Sequence, residues 1–114
     1  MAKDDYHVIV YKILAYLYQC LKNGENIKAC NLECTNKYFQ INKNYWQYIL
    51  FHLQDSEMIE GIMFVDIDGL DIPYPANLEN CRITPKGIEY LCDNSLIEKA
   101  KKFLKEIKEI TPCI

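Results

Sequence analysis

The first legible element of the chain is apolar around nearly its whole circumference. From residue 5 to about residue 22, Val10, Leu14, Leu17 and Leu21 form one stripe at helical spacing, with Ile9, Ile13, Tyr16 and Cys20 beside it. Polar residues recur at Asp5, Lys12 and Gln19, every seven positions, which leaves a narrow wet strip. Asn23-Gly24 then stops the helix, because glycine takes the left-handed cap at no steric cost. A surface helix in a small monomer needs an apolar stripe only a little over about 100° wide. A helix of this girth either runs through the centre of the fold or faces a second subunit, and the sequence leaves both open.

Half of the 114 residues are apolar, enough for one compact domain spanning residues 1–114. No apolar run approaches the ~20 residues of a spanning helix. Met1-Ala2-Lys3-Asp4-Asp5 turns acidic at once instead of leading into an apolar secretory segment. The expectation is a cytoplasmic protein with no membrane association. Six scattered cysteines are then expected as reduced thiols and mostly as small buried hydrophobes. Cys30 and Cys34 form a C-x3-C pair, but structural zinc usually shows two short-spaced pairs and no second pair exists here. No metal and no cofactor are expected.

Beyond Gly24, Glu25-Asn26-Ile27-Lys28 suits a short strand, and residues 32–39 a short helix. Asn42 is placed to cap a clearer helix from residue 43 to about 54, with Trp46, Ile49, Leu50 and Leu53 on its apolar face. Residues 58–67 are rich in branched and aromatic side chains and read as a strand. Asp68-Gly69 is a turn signal, and Pro73 and Pro75 keep the next stretch out of any central strand. Cys81-Arg82-Ile83 offers a second strand. Thr84-Pro85 reads as N-cap and first helical position of a helix through Tyr90-Leu91. Ser95 and Glu98 make a capping box for a last helix over about 95–110, with Ala100, Phe103, Leu104, Ile107 and Ile110 on its apolar stripe. Helix, strand, helix, helix, hairpin and two helices is the layout of an α+β winged helix-turn-helix with an additional C-terminal helix.

The segment Ile83-Thr84-Pro85-Lys86-Gly87-Ile88-Glu89-Tyr90-Leu91 carries an I/L-T-x-x-G-x-x-Y-L pattern directly after the hairpin. It is similar to the strand-to-helix junction of many small bacterial winged-helix proteins. Together with the lysine- and aspartate-led first helix, the middle helix ending before Glu57-Met58-Ile59 and the terminal Lys/Glu helix, the chain resembles the YjcQ-like family over about residues 4–110. That resemblance implies a winged-helix fold of bacterial or phage type and brings no established activity. The connector over 24–41 and the acidic hairpin region are long departures from a compact version of the pattern.

Two functional readings follow, with no enzymatic one: the expectation is a DNA-binding transcriptional regulator of bacterial or phage type, and the alternative a protein-interaction module without DNA binding. In the helix-turn-helix mode the second helix of the pair reads the major groove of double-stranded DNA. Asn44 and Gln47 then suit base edges, Lys37 and Lys43 suit phosphates, and Tyr48 and Phe51 flank the outward face. Charge argues against it. Residues 44–80 carry seven acids and no Lys or Arg, and Arg82 is the single arginine of the chain. Phosphate neutralisation supplies most non-specific affinity, so this hairpin would be repelled. The other reading is a module that binds a protein partner, using Tyr48 and Phe51. A homodimer is a further expectation, through Val10, Leu14 and Leu17 of the first helix and Phe103, Leu104 and Ile107 of the last. Asp66, Asp68 and Asp71 lack EF-hand spacing, and His7 and His52 have no catalytic partner at a telling distance in sequence.

Overall fold

Helix α1, Tyr6–Asn23, lies at the centre of the fold and packs against the other helices and the last strand. The computed structural model describes residues 5–69 and 71–93; the helix expected over about 95–110 lies outside them. Gly24 caps α1 at φ +67, and the Glu25 N–H returns to the Cys20 carbonyl at 2.9 Å. Val8, Ile9, Val10, Ile13, Leu14, Ala15 and Leu17 are all at most 1% exposed, so the girth of α1 is met inside the chain. Each fully buried aliphatic side chain contributes about 2 kcal/mol. Even the expected wet strip is covered at Lys12, 6% exposed, whose Nζ donates to the Tyr38 carbonyl at 2.8 Å.

The connector departs from expectation. No strand forms over 25–28; the Lys28 N–H donates instead to the Tyr16 hydroxyl at 2.9 Å. In place of the helix expected over 32–39 there is one 3-10 turn, Ala29–Leu32, followed by a tight loop bridged at Thr35 and Gln40. Asn36 is the reason. Its side-chain Oδ1 accepts from the N–H groups of Tyr38 and Phe39, at 2.8 and 3.1 Å, and its Nδ2 donates to the Glu33 carbonyl at 2.9 Å. Such local bonds offer the backbone an alternative to the helical ladder.

Helix α2, Lys43–Asp55, begins as expected, with the Asn42 side chain accepting from the Asn44 N–H at 2.8 Å. Trp46, Ile49, Leu50 and Leu53 are its buried face. The Trp46 indole donates to the Leu32 carbonyl at 2.7 Å, fastening the connector to α2.

The strand expected over 58–67 is broken in two. β1, Ile59–Glu60, pairs antiparallel with β4, Arg82–Ile83, and β2, Met63–Val65, pairs antiparallel with β3, Tyr74–Ala76. The break falls at Gly61, where φ is +96 and a Cβ would stand 2.0 Å from the Asn80 carbonyl oxygen. Opposite it a second 3-10 turn, Leu78–Asn80, takes up the extra residues of the returning arm. Pro75 sits inside β3, which is tolerated because a two-stranded ribbon has no central strand.

Helix α3, Pro85–Leu91, explains the junction pattern residue by residue. Thr84 Oγ1 accepts from the Gly87 N–H at 3.1 Å and donates to the Glu57 carbonyl. The Thr84 N–H donates to the Met58 carbonyl at 3.1 Å. A Cβ on Gly87 would stand 2.2 Å from that same Met58 oxygen, so only glycine lets α3 close onto the end of α2. Leu91 is 1% exposed, and the Tyr90 hydroxyl meets His7 Nδ1 at 2.9 Å.

Candidate functional site

The open face of α2 and the ribbon beside it hold the chain's exposed side chains of most chemical interest. Lys37, Lys43, Asn44 and Tyr48 are exposed. Lys43 Nζ lies 5.2 Å from the Tyr74 ring centroid and Lys37 Nζ 5.1 Å from that of Tyr38, so each ammonium leans on an aromatic face. Gln47 is a correction: it is 5% exposed, inside the fold rather than on the outward face. It and Asn44 line a recess with Gly69, Asp71 and Ile72, so the acidic ribbon tip lies against the amino-terminal half of α2. A phosphate or base edge approaching Asn44 meets that acidic tip first.

Phe51 is half-buried, because its ring stacks edge-on against Phe64 of β2 at 5.5 Å and against His52 at 5.4 Å. Tyr48 continues the row, 4.4 Å from His52. The aromatic row therefore crosses from α2 onto the ribbon. On β2 and just beyond it, Met63, Val65 and Ile67 alternate with Phe64 and Asp66 and stand 58%, 42% and 46% exposed. In sequence they belong to a run rich in branched and aromatic residues, with no alternation that marks which face they take. Here the intervening Phe64 takes the inward position and the branched residues face water.

The ribbon is held against α2 by Gln54, which sequence reading passed over. Its carboxamide accepts from the Ile62 N–H at 2.9 Å and donates to the Ile62 carbonyl at 2.8 Å. Beside it, Phe51, Gln54, Asp55 and Phe64 line an open groove of about 290 Å³. That is room for side chains rather than for one water, whose share of liquid volume is about 30 Å³.

The residues expected at a dimer interface divide in two. Val10, Leu14 and Leu17 are buried in the core of a single chain and present no surface, since α1 is covered by its own neighbours. Phe103, Leu104 and Ile107 lie outside the described residues. Among the cysteines, Cys20 and Cys81 are buried, Cys30 is exposed and Cys34 half-buried, all four as free thiols. Burial pushes the Cys81 thiol from 9.0 up to about 12. No three His, Cys, Asp or Glu side chains among the described residues are grouped to hold a metal ion, and no described helix is long and apolar enough to cross a membrane.

The family model for the YjcQ protein matches residues 11–110. No curated protein and no solved structure matches the chain at a significant level.

Proposed function

We propose, for a chain that belongs to the YjcQ family, a winged-helix protein-interaction module in which α2 and the ribbon contact another polypeptide. The winged-helix assignment rests on element order: α1, a turn-rich connector where the first helix of the pair would stand, α2, the ribbon as wing, then α3. The observation that carries the function is the exposure of Met63, Val65 and Ile67 along the ribbon and of Tyr48 on α2, within residues 44–80, which carry seven acids and no Lys or Arg. Apolar surface rimmed by charge marks a contact site for protein more than for a phosphate backbone. Fold does not decide between them; the site does. No enzymatic role is proposed: His7 is engaged by Tyr90, and His52 packs against the rings of Tyr48 and Phe51.

Double-stranded DNA is the second reading, favoured by one observation, the exposure of Lys43 and Asn44 in the first turn of α2, with Lys37 exposed on the connector before it. A regulator of bacterial or phage type would use them only if the ribbon tip at Gly69 and Asp71 left its place beside Asn44. The discriminating experiment places a photo-crosslinking residue at Tyr48 or Val65 and, as control, at Lys86, and runs duplex selection in parallel. A defined polypeptide adduct from Tyr48 and Val65 alone supports the module. A selected DNA motif that weakens on Asn44→Ala, with no such adduct, replaces it with the regulator.

A further inference from the structure

The ribbon has a free edge whose bonding capacity follows from one proline. β2 and β3 are in register with Met63 opposite Ala76, Phe64 opposite Pro75 and Val65 opposite Tyr74. Pro75 has no N–H, so Phe64 and Pro75 form the non-bonded pair, and the ladder bonds run through the pairs on either side. The N–H and C=O of Phe64 therefore point away from β3, toward the outer edge. Among the described residues they meet no partner, and no further strand joins this sheet. Two residues earlier on the same edge, Ile62 has both its groups taken by the Gln54 carboxamide. Gln54 is a one-residue imitation of a neighbouring strand, and it stops where the groove of Phe51, Gln54, Asp55 and Phe64 opens.

We propose that this edge takes an extended segment of a partner protein, in which basic residues alternate with apolar ones, as an added strand along β2. The inference rests on the interaction-module reading and names the kind of partner. The segment would bond Phe64 through its main chain, as edge-added strands do. Its apolar side chains would meet Met63, Val65 and Ile67, on the face opposite the groove. Its basic ones would meet Asp55, Asp66 and Asp68, in a stretch of the chain, residues 44–80, that holds no Lys or Arg. The same charge argues against a second copy of this chain on the edge. Antiparallel pairing centred on Phe64 sets Glu60 of one copy opposite Asp68 of the other, and a parallel pairing sets each acid beside its equal.

The test is an NMR titration of the isotope-labelled full chain with a short synthetic peptide alternating lysine with valine. The expected result is shifts at Phe51, Gln54, Asp55 and Phe64, and exchange of the Phe64 amide slowed about tenfold or more. Affinity should fall with salt and drop about tenfold in Asp55→Asn/Asp66→Asn, since charged contacts at a partly exposed edge are screened. The proposal is overturned by an absence of binding, by equal binding of a glutamate-valine peptide, or by sedimentation that finds self-association through this edge. Its failure is separable from that of the parent reading. A crosslinked polypeptide at Tyr48 with an unprotected Phe64 amide rejects the added strand and keeps the module, whereas DNA selection without any adduct rejects both.

Discussion

The carboxamide of Gln54 holds both backbone groups of Ile62, accepting from its N–H at 2.9 Å and donating to its carbonyl at 2.8 Å. It joins the last turn of α2 to the point where the outgoing arm of the ribbon breaks. The helix and the ribbon are thereby fixed relative to one another, which an interaction surface spanning both requires.

Replacing Gln54 by Ala should cost about 1–2 kcal/mol, since each lost bond contributes about 1 kcal/mol. The urea midpoint falls with the slope unchanged, and the Ile62 amide exchanges faster while Leu50 on the buried face of α2 keeps its protection. An Ile62 amide as protected as before would mean that the strand pairing alone positions the ribbon.

Two glycines with positive φ should respond very differently to alanine. At Gly61 the new Cβ meets the Asn80 carbonyl at 2.0 Å, so Gly61→Ala should cost more than about 3 kcal/mol or prevent soluble expression. At Gly24 nothing lies within 4 Å, and Gly24→Ala should cost only the left-handed backbone penalty of about 1 kcal/mol. Thermal melts of the pair decide it; equal losses would refute the close approach at Gly61.

Thr84 unites two ends through one hydroxyl. Thr84→Val keeps the shape, loses the cap on Gly87 and the bond to Glu57, and should cost about 2 kcal/mol. Thr84→Ser should recover most of that in the same urea melts. A valine variant as stable as the parent would leave the junction pattern without its physical explanation.

Alkaline pH should unfold the chain early. Burial raises the Cys81 thiol to about 12 from 9.0, and desolvation also raises the Tyr6, Tyr11 and Tyr90 phenols. The folded chain keeps protons that the unfolded chain releases. Stability is thus fully present below about pH 9 and falls as pH climbs toward 12, by about 1.4 kcal/mol per pH unit for Cys81. Cys81→Ala should flatten this slope, despite a lower starting stability from the lost volume. An unchanged slope would exclude the thiol as its source.

The parts of this fold legible in the sequence were those whose causes lie within a few residues. Asn42 caps α2, Gly24 ends α1, and Thr84-Pro85 opens α3 through contacts that local spacing already contains. The parts that were not legible depend on groups far apart in the chain. Lys12 looked like a wet residue until the 36–39 loop covered it, and Gln47 looked outward until the ribbon tip came to lie against α2. Residues 32–39 have helical spacing, but the side chain of Asn36 captures the backbone first. Gly61 broke the long strand for the sake of Asn80, nineteen positions on. Of the candidate site, Tyr48 and the exposed lysines were readable, while Gln54 and the outward-facing Met63, Val65 and Ile67 needed the register of the ribbon.

Thr84 bonded to Glu57 and Met58 brings the two ends of the ribbon excursion together at its root. A loop whose ends are already fastened loses little when its far end is lengthened, because closure entropy grows only with the logarithm of length. The hairpin is therefore the part of this architecture that evolution can redraw independently. Residues of the ribbon that do not line the recess with Asn44 and Gln47 can be gained, lost or exchanged while the helices below keep their contacts, and a change of binding specificity need carry no change of fold.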